Sequence, residues 1–186
     1  MKKTLSIIPE NPELVFIALN PTEEALNNKA VFSRDNAFWN LLEKAGILEN
    51  SILKVDLKDR AKEAFLDQKH SKKKFGFADL LPQVYETDSN KVKIPKDAVS
   101  HLLTTTPHLK ETQKIALMGQ KVVDAFARNF EGIKKWKNIP VIGSKRQFGC
   151  IGSIIFDGNE IELFAMPFPV NNNVKNKHEY YASLIQ

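Results

Sequence analysis

The sequence predicts an α/β protein: a mostly parallel central sheet between two helical layers, a three-layer α/β/α sandwich, as one domain over residues 1–186. Three observations carry this. Short apolar runs rich in β-formers recur at 14–19, 75–81 and 114–118, each followed closely by a proline or glycine. Segments of helical spacing lie between them, and alternating strand and helix implies parallel pairing through crossover helices. No repeat and no break in composition marks a second domain.

The elements follow in order. Leu14, Val15, Phe16, Ile17, Ala18 and Leu19 form a run too short for a helix, and Asn20-Pro21 ends it, so a buried strand is expected. Thr22 can cap one helical turn reaching Asn28, with Glu23 and Glu24 at its positive end. Phe38, Leu41, Leu42 and Ala45 recur at helical spacing over 36–45, and Gly46 closes that helix. Helical character is expected again over 59–67, then a second strand or a strand-to-loop passage over 75–81, stopped by Pro82. The polar stretch 88–96 is a loop, 98–103 begins a helix, 114–118 is a strand, and Gly119 turns into a helix over 121–130. The runs 151–156 and 160–165, joined by Asp157-Gly158-Asn159, carry a hairpin signal. An irregular loop with Pro167 and Pro169 spans 166–173, and a last helix covers 177–185.

Composition narrows the function classes. With 42% hydrophobic and 26% charged residues, the chain is globular rather than disordered. The basic start turns apolar only briefly before Pro9, Glu10 and Pro12, which does not make a signal peptide, and no run approaches the roughly 20 apolar residues of a membrane helix. A lone Cys150 gives neither a disulfide framework nor a zinc site, so a reducing cytoplasm, with association to the nucleoid, is expected. His70, His101, His108 and His178 lack metal-ligand spacing, and Gly143, Gly149 and Gly152 form no nucleotide-binding fingerprint. The net charge of +5 suits a phosphate backbone, although lysines are also ordinary solvated surface.

Three segments, in chain order, resemble one family. Phe16-Ile17-Ala18-Leu19-Asn20-Pro21, followed by Val31-Phe32 and then Asn36-Ala37-Phe38-Trp39, is similar to the first motif of the mismatch-specific uracil/thymine-DNA glycosylases of the uracil-DNA glycosylase superfamily. In that family a strand ends in Gly-Ile-Asn-Pro-Gly and leads to a phenylalanine and an Asn-x-Phe-Trp helix start. Ala116-Leu117-Met118-Gly119-Gln120 resembles the family's Leu-Gly-Lys-Gln turn, and the 166–173 loop falls where the family has Asn-Pro-Ser-Gly-Leu-Ser. The chain departs from the pattern at Thr22, in place of a glycine, and at Phe168, Val170 and Asn171 in the late loop.

The resemblance implies a monofunctional DNA glycosylase that hydrolyses uracil or a related damaged base after flipping it from the helix, without metal or organic cofactor. Asn20 would position the water. An amide cannot take a proton at neutral pH, so slow turnover is expected. From the spacing alone Asn20 reads more simply as a cap of the turn before Pro21, and the match at Phe32 and Asn36-Ala37-Phe38-Trp39 turns the balance. Phe32 would stack on the flipped base, an interaction worth about 1–3 kcal/mol, or serve as a core phenylalanine. Leu19, Pro21 and Thr22 would offer backbone groups to the base edge. Asn36 caps its helix in a segment the family uses to shape the pocket, while Phe38 and Trp39 are core. Asn171, Asn172 and Asn173 would meet phosphates or the widowed base, and Lys175 and Lys177 phosphates. Phe168 or Val170 would be the wedge between base steps, or a buried loop anchor. The partner is damaged or mismatched DNA and the chain is expected as a monomer. Two rivals stand beside this reading: a nucleic-acid or modified-base binding module on the same fold that does not cut, and a small-molecule hydrolase or nucleoside-binding enzyme on a flavodoxin-like sheet.

Overall fold

The computed structural model describes residues 6–28, 30–32, 36–49, 51–71, 73–129, 133–136, 148–171 and 173–186. Asn172, expected at the nucleic acid, and the Ser33-Arg34-Asp35 part of the first motif lie outside them.

The first apolar run is β1 (Leu14–Ala18), with every residue buried. Such a strand must be paired on both edges and covered on both faces, because an unpaired backbone group away from water is costly. It has both neighbours: β2 (Phe75–Asp79) runs parallel with Ala18 opposite Asp79, and β3 (Lys114–Met118) runs parallel on the other edge. The late hairpin is β5 (Gly149–Phe156) and β6 (Asn159–Met166), with β6 parallel to β3. A strand that sequence reading did not find, β4 (Ile133–Trp136), adds antiparallel to β5, and the six-stranded order is β2-β1-β3-β6-β5-β4. The hairpin turn is the two residues Asp157 and Gly158, with φ of 52° and 83°, as a type I′ turn requires. Asn159 therefore belongs to the strand.

Period-2 alternation sends Leu14, Phe16 and Ala18 to one face and Val15 and Ile17 to the other. The first face is covered by α2 (Ala37–Lys44), by α3 (Leu57–Ala61), which runs on into a π-helical turn (Lys62–Leu66), and by α6 (Lys177–Ala182). The second face is covered by α4 (Ala98–Thr105) and α5 (Gln120–Asn129). The sheet thus has helices on both faces, as a three-layer sandwich requires. Phe38 and Trp39 are fully buried. The turn after β1 becomes the short helix α1 (Glu23–Asn27), with Thr22 Oγ1 accepting from the Ala25 amide at 3.1 Å and Glu23 and Glu24 exposed in its first turn.

The end of the chain pins the late loop. Tyr181 is buried in α6, stacks near Phe16, and its hydroxyl donates to the Pro167 carbonyl at 2.9 Å. Tyr181→Phe leaves that buried carbonyl without its donor. Unfolding in urea should show a loss of about 1–2 kcal/mol with an unchanged m-value.

Candidate functional site

The connection after β1 leads to β2 on one side, and the chain then returns to place β3 on the other. In an open α/β sheet a crevice forms at such a switch point, beyond the carboxyl ends of the strands. A cavity of about 800 Å³ opens there, lined by Ala18 at the end of β1 and residues 19–22 after it, Asp79 at the end of β2, Met118 at the end of β3 with Gly119 and Gln120 after it, and Phe168 after β6. Asn20, Leu19, Pro21, Thr22, Phe32, Phe168, Val170 and Asn171 all line it.

Asn20 is half-buried, and its Nδ2 donates to the carbonyls of Pro21 (3.1 Å), Val84 (3.2 Å) and Glu86 (2.9 Å). The amide therefore ties the loop after β2 to the end of β1. With its NH2 spent on carbonyls, the group that remains for the cavity is the acceptor Oδ1. The carbonyls of Leu19, Pro21 and Thr22 already accept internal bonds, from the amides of Leu81 and Leu26 and from Asn20 Nδ2. These three residues shape the wall.

Phe32 adopts φ of 53°, a left-handed conformation that is an outlier for a bulky side chain. Residues held this way carry strain of about 1–3 kcal/mol and cluster at ligand sites. Its ring stacks on Phe38 at 4.1 Å and 20°, meets Phe77 edge-on at 5.5 Å, and lies 6.1 Å from Phe168. The ring is thus both packed against the core and part of the cavity wall.

Sequence reading missed Asp79. It is 2% exposed at the carboxyl end of β2 and lines the cavity, and no described residue bonds to its carboxyl. Burial pushes its pKa from the ordinary 3.8 up to about 7. A carboxyl balanced between acid and base near neutrality is suited to proton transfer, which an amide is not. The signal in the sequence was period-2 spacing: Phe75 and Phe77 point into the core, and Asp79 follows on the same face.

The late loop divides its residues. Phe168 turns inward against Phe32, its side chain 3.8 Å from where a Cβ on Gly119 would stand. Val170 is 45% exposed at the loop tip. Asn171 builds the turn, its Oδ1 accepting from the Asn173 amide at 3.1 Å, and Asn173 and Lys175 are exposed. Lys177 Nζ donates to the Pro169 carbonyl, which makes it a staple of the loop. Asn36 stands at the N-terminus of α2 without a side-chain cap bond, contrary to expectation. Its Oδ1 accepts from Arg60 Nη1 at 2.6 Å, and it does not line the cavity. Among the described residues no three His, Cys, Asp or Glu side chains gather to hold a metal.

Asp79 sets a pH dependence of stability. Its pKa is raised on folding, so the folded state holds the proton more tightly, and stability falls as pH rises from the unfolded value towards about 7. Wild type should lose on the order of 2–3 kcal/mol between pH 5 and pH 8 from this group. Asp79→Asn should flatten that fall in urea unfolding at the two pH values; a parallel loss in the variant would refute it.

No protein-family model matches this sequence, and no curated protein matches it. The functional reading therefore rests on the chemistry of the cavity and on the motifs of the chain itself.

Proposed function

We propose that the chain is a monofunctional DNA glycosylase that hydrolyses the N-glycosidic bond of uracil or a related damaged base after flipping it into the cavity. The observation that carries the reading is the convergence, at one switch-point cavity, of Asn20, the strained Phe32 and the buried Asp79. The first-motif resemblance to the uracil-DNA glycosylase superfamily supports it and names the base chemistry. A flipped base stacks on Phe32. Asn20 Oδ1 accepts a hydrogen bond from the attacking water, and Asp79, as carboxylate, takes its proton. The water oxygen bonds to C1′ as the C1′–N bond breaks, and the base leaves with the bonding pair. Of the two wedge candidates, Val170 is the one at the surface, while Phe168 serves as a wall.

A second reading keeps the pocket without cleavage. Its support is the engagement of Asn20 Nδ2, whose two hydrogens are shared among three carbonyls, which gives that amide a structural task independent of any water.

Single-turnover excision on oligonucleotides carrying uracil, thymine opposite guanine, hypoxanthine, xanthine or ethenocytosine separates the two. The glycosylase should release base at a rate that climbs with pH and levels off above about 7, where Asp79 is ionised. Asp79→Asn should lower it by about 10²–10⁴ and abolish that pH limb. Asn20→Ala should lower it by about 10² or more through misplacement of the water. Salt-dependent binding with no product from any substrate would leave the non-cutting module. Placing a charge at the tip, Val170→Asp, should slow excision from duplex far more than from single strands, because only the duplex must be pried open.

A further inference from the structure

A second hollow, of about 530 Å³, lies on the far side of the late loop. One wall is α2, where Asn40 and Lys44 stand four residues apart and so share a face. The opposite wall is the start of α6, with Lys177 and His178. No carboxylate lines the hollow among the described residues. The glutamate of α2, Glu43, is engaged elsewhere, its Oε1 accepting from the Ile52 amide at 2.7 Å. Lys44 is exposed and holds no ion pair with a described residue, whereas Lys177 is occupied with the loop. Val170 lines both this hollow and the switch-point cavity, so the two adjoin at one exposed apolar side chain.

We infer that this hollow seats the phosphates of a polynucleotide strand whose neighbouring base occupies the cavity, with Lys44 and Asn40 as the principal contacts. The inference rests on the glycosylase reading only for the identity of the base. Cationic and amide donors without a facing carboxylate select phosphate oxygens. Adjacency at Val170 selects a strand over a free phosphate or nucleoside, since only a chain can occupy both hollows at once. This assigns phosphate binding to α2, a helix whose motif pointed only to the pocket and core.

The test is fluorescence anisotropy of a labelled single-stranded oligodeoxynucleotide carrying one non-cleavable 2′-fluoro-deoxyuridine, titrated across potassium chloride concentrations, beside binding of free deoxyuridine. Lys44→Glu should weaken the oligonucleotide about tenfold or more at low salt and reduce the slope of log K against log salt by about 0.7. Deoxyuridine binding should be unchanged. Asn40→Glu, on the same exposed wall, should act alike. Lys96→Glu, which makes the same charge change just before α4 in the opposite layer, should leave the affinity within about twofold. Equal weakening by Lys96→Glu and Lys44→Glu, or no weakening by Lys44→Glu, overturns the inference, as does a wild type that does not bind the oligonucleotide. Weakening by Lys44→Glu with no base released in the excision assay upholds the strand seat and removes the glycosylase instead.

Discussion

Burial of β1 is the constraint from which the rest follows. Five consecutive apolar residues are removed from water, each large one worth roughly 1.5–3 kcal/mol, on condition that both strand edges are paired and both faces covered. Pairing on both edges places β2 and β3 on opposite sides of the same strand, and that opposition opens the crevice. The strand ends where the core ends, so the first side chain past it able to hydrogen-bond, Asn20, stands at the crevice mouth. Its NH2 then satisfies the carbonyls of Val84 and Glu86, which sets the loop bordering the cavity. Fold and site share one cause, and Asn20 belongs to both.

Where local chemistry decided the outcome, the sequence was legible. The three parallel strands announced themselves by length and proline or glycine stops, and Lys114–Met118 stands at the expected bounds. The Asp-Gly turn, the Thr22 cap and the core positions of Phe38 and Trp39 likewise depend on near neighbours. Illegible features depend on distant partners. Asn36 gives its oxygen to Arg60, 24 residues on, instead of to its own helix. Lys177 turns back to Pro169, a tie to the loop that its charge alone did not announce. The strand Ile133–Trp136 is half lysine and has no apolar run to mark it. Asp79 had a signal, the alternation through Phe75 and Phe77, but an acid before a turn also suits a solvated strand end.

Phe32 and Asp79 each go against a local rule; the other non-glycine residues at positive φ among the described ones, Asn11, Gln68, His108, Asp157 and Asn176, are all polar. One is a bulky residue at positive φ, the other a carboxyl in an apolar setting. Sequences consistent at every other level tend to carry such exceptions where function requires them. That both border the same cavity makes independent accidents a poor account.

Two ring nitrogens, Trp39 Nε1 and His70 Nδ1, are also buried without a partner, but neither lines the cavity, and the polar side chains Arg60, Thr112, Ser153 and Tyr181 give a contrast to Asp79. Arg60 donates to the carbonyls of Val55 and Leu53 and to Asn36. Thr112 donates to the Lys114 carbonyl, Ser153 to Glu160, and Tyr181 to Pro167. Each of these groups is buried and satisfied, which is what structure alone asks of a polar atom. Burial drives the Tyr181 phenol well above its ordinary range as well, yet that group is already spent on a carbonyl. Asp79 has burial without a donor among the described residues, and its carboxyl borders open space. A stabilising role would be served better by asparagine or by an apolar residue at that position. What asparagine cannot do is exchange a proton near neutral pH, and the carboxyl gives the cavity that one capacity.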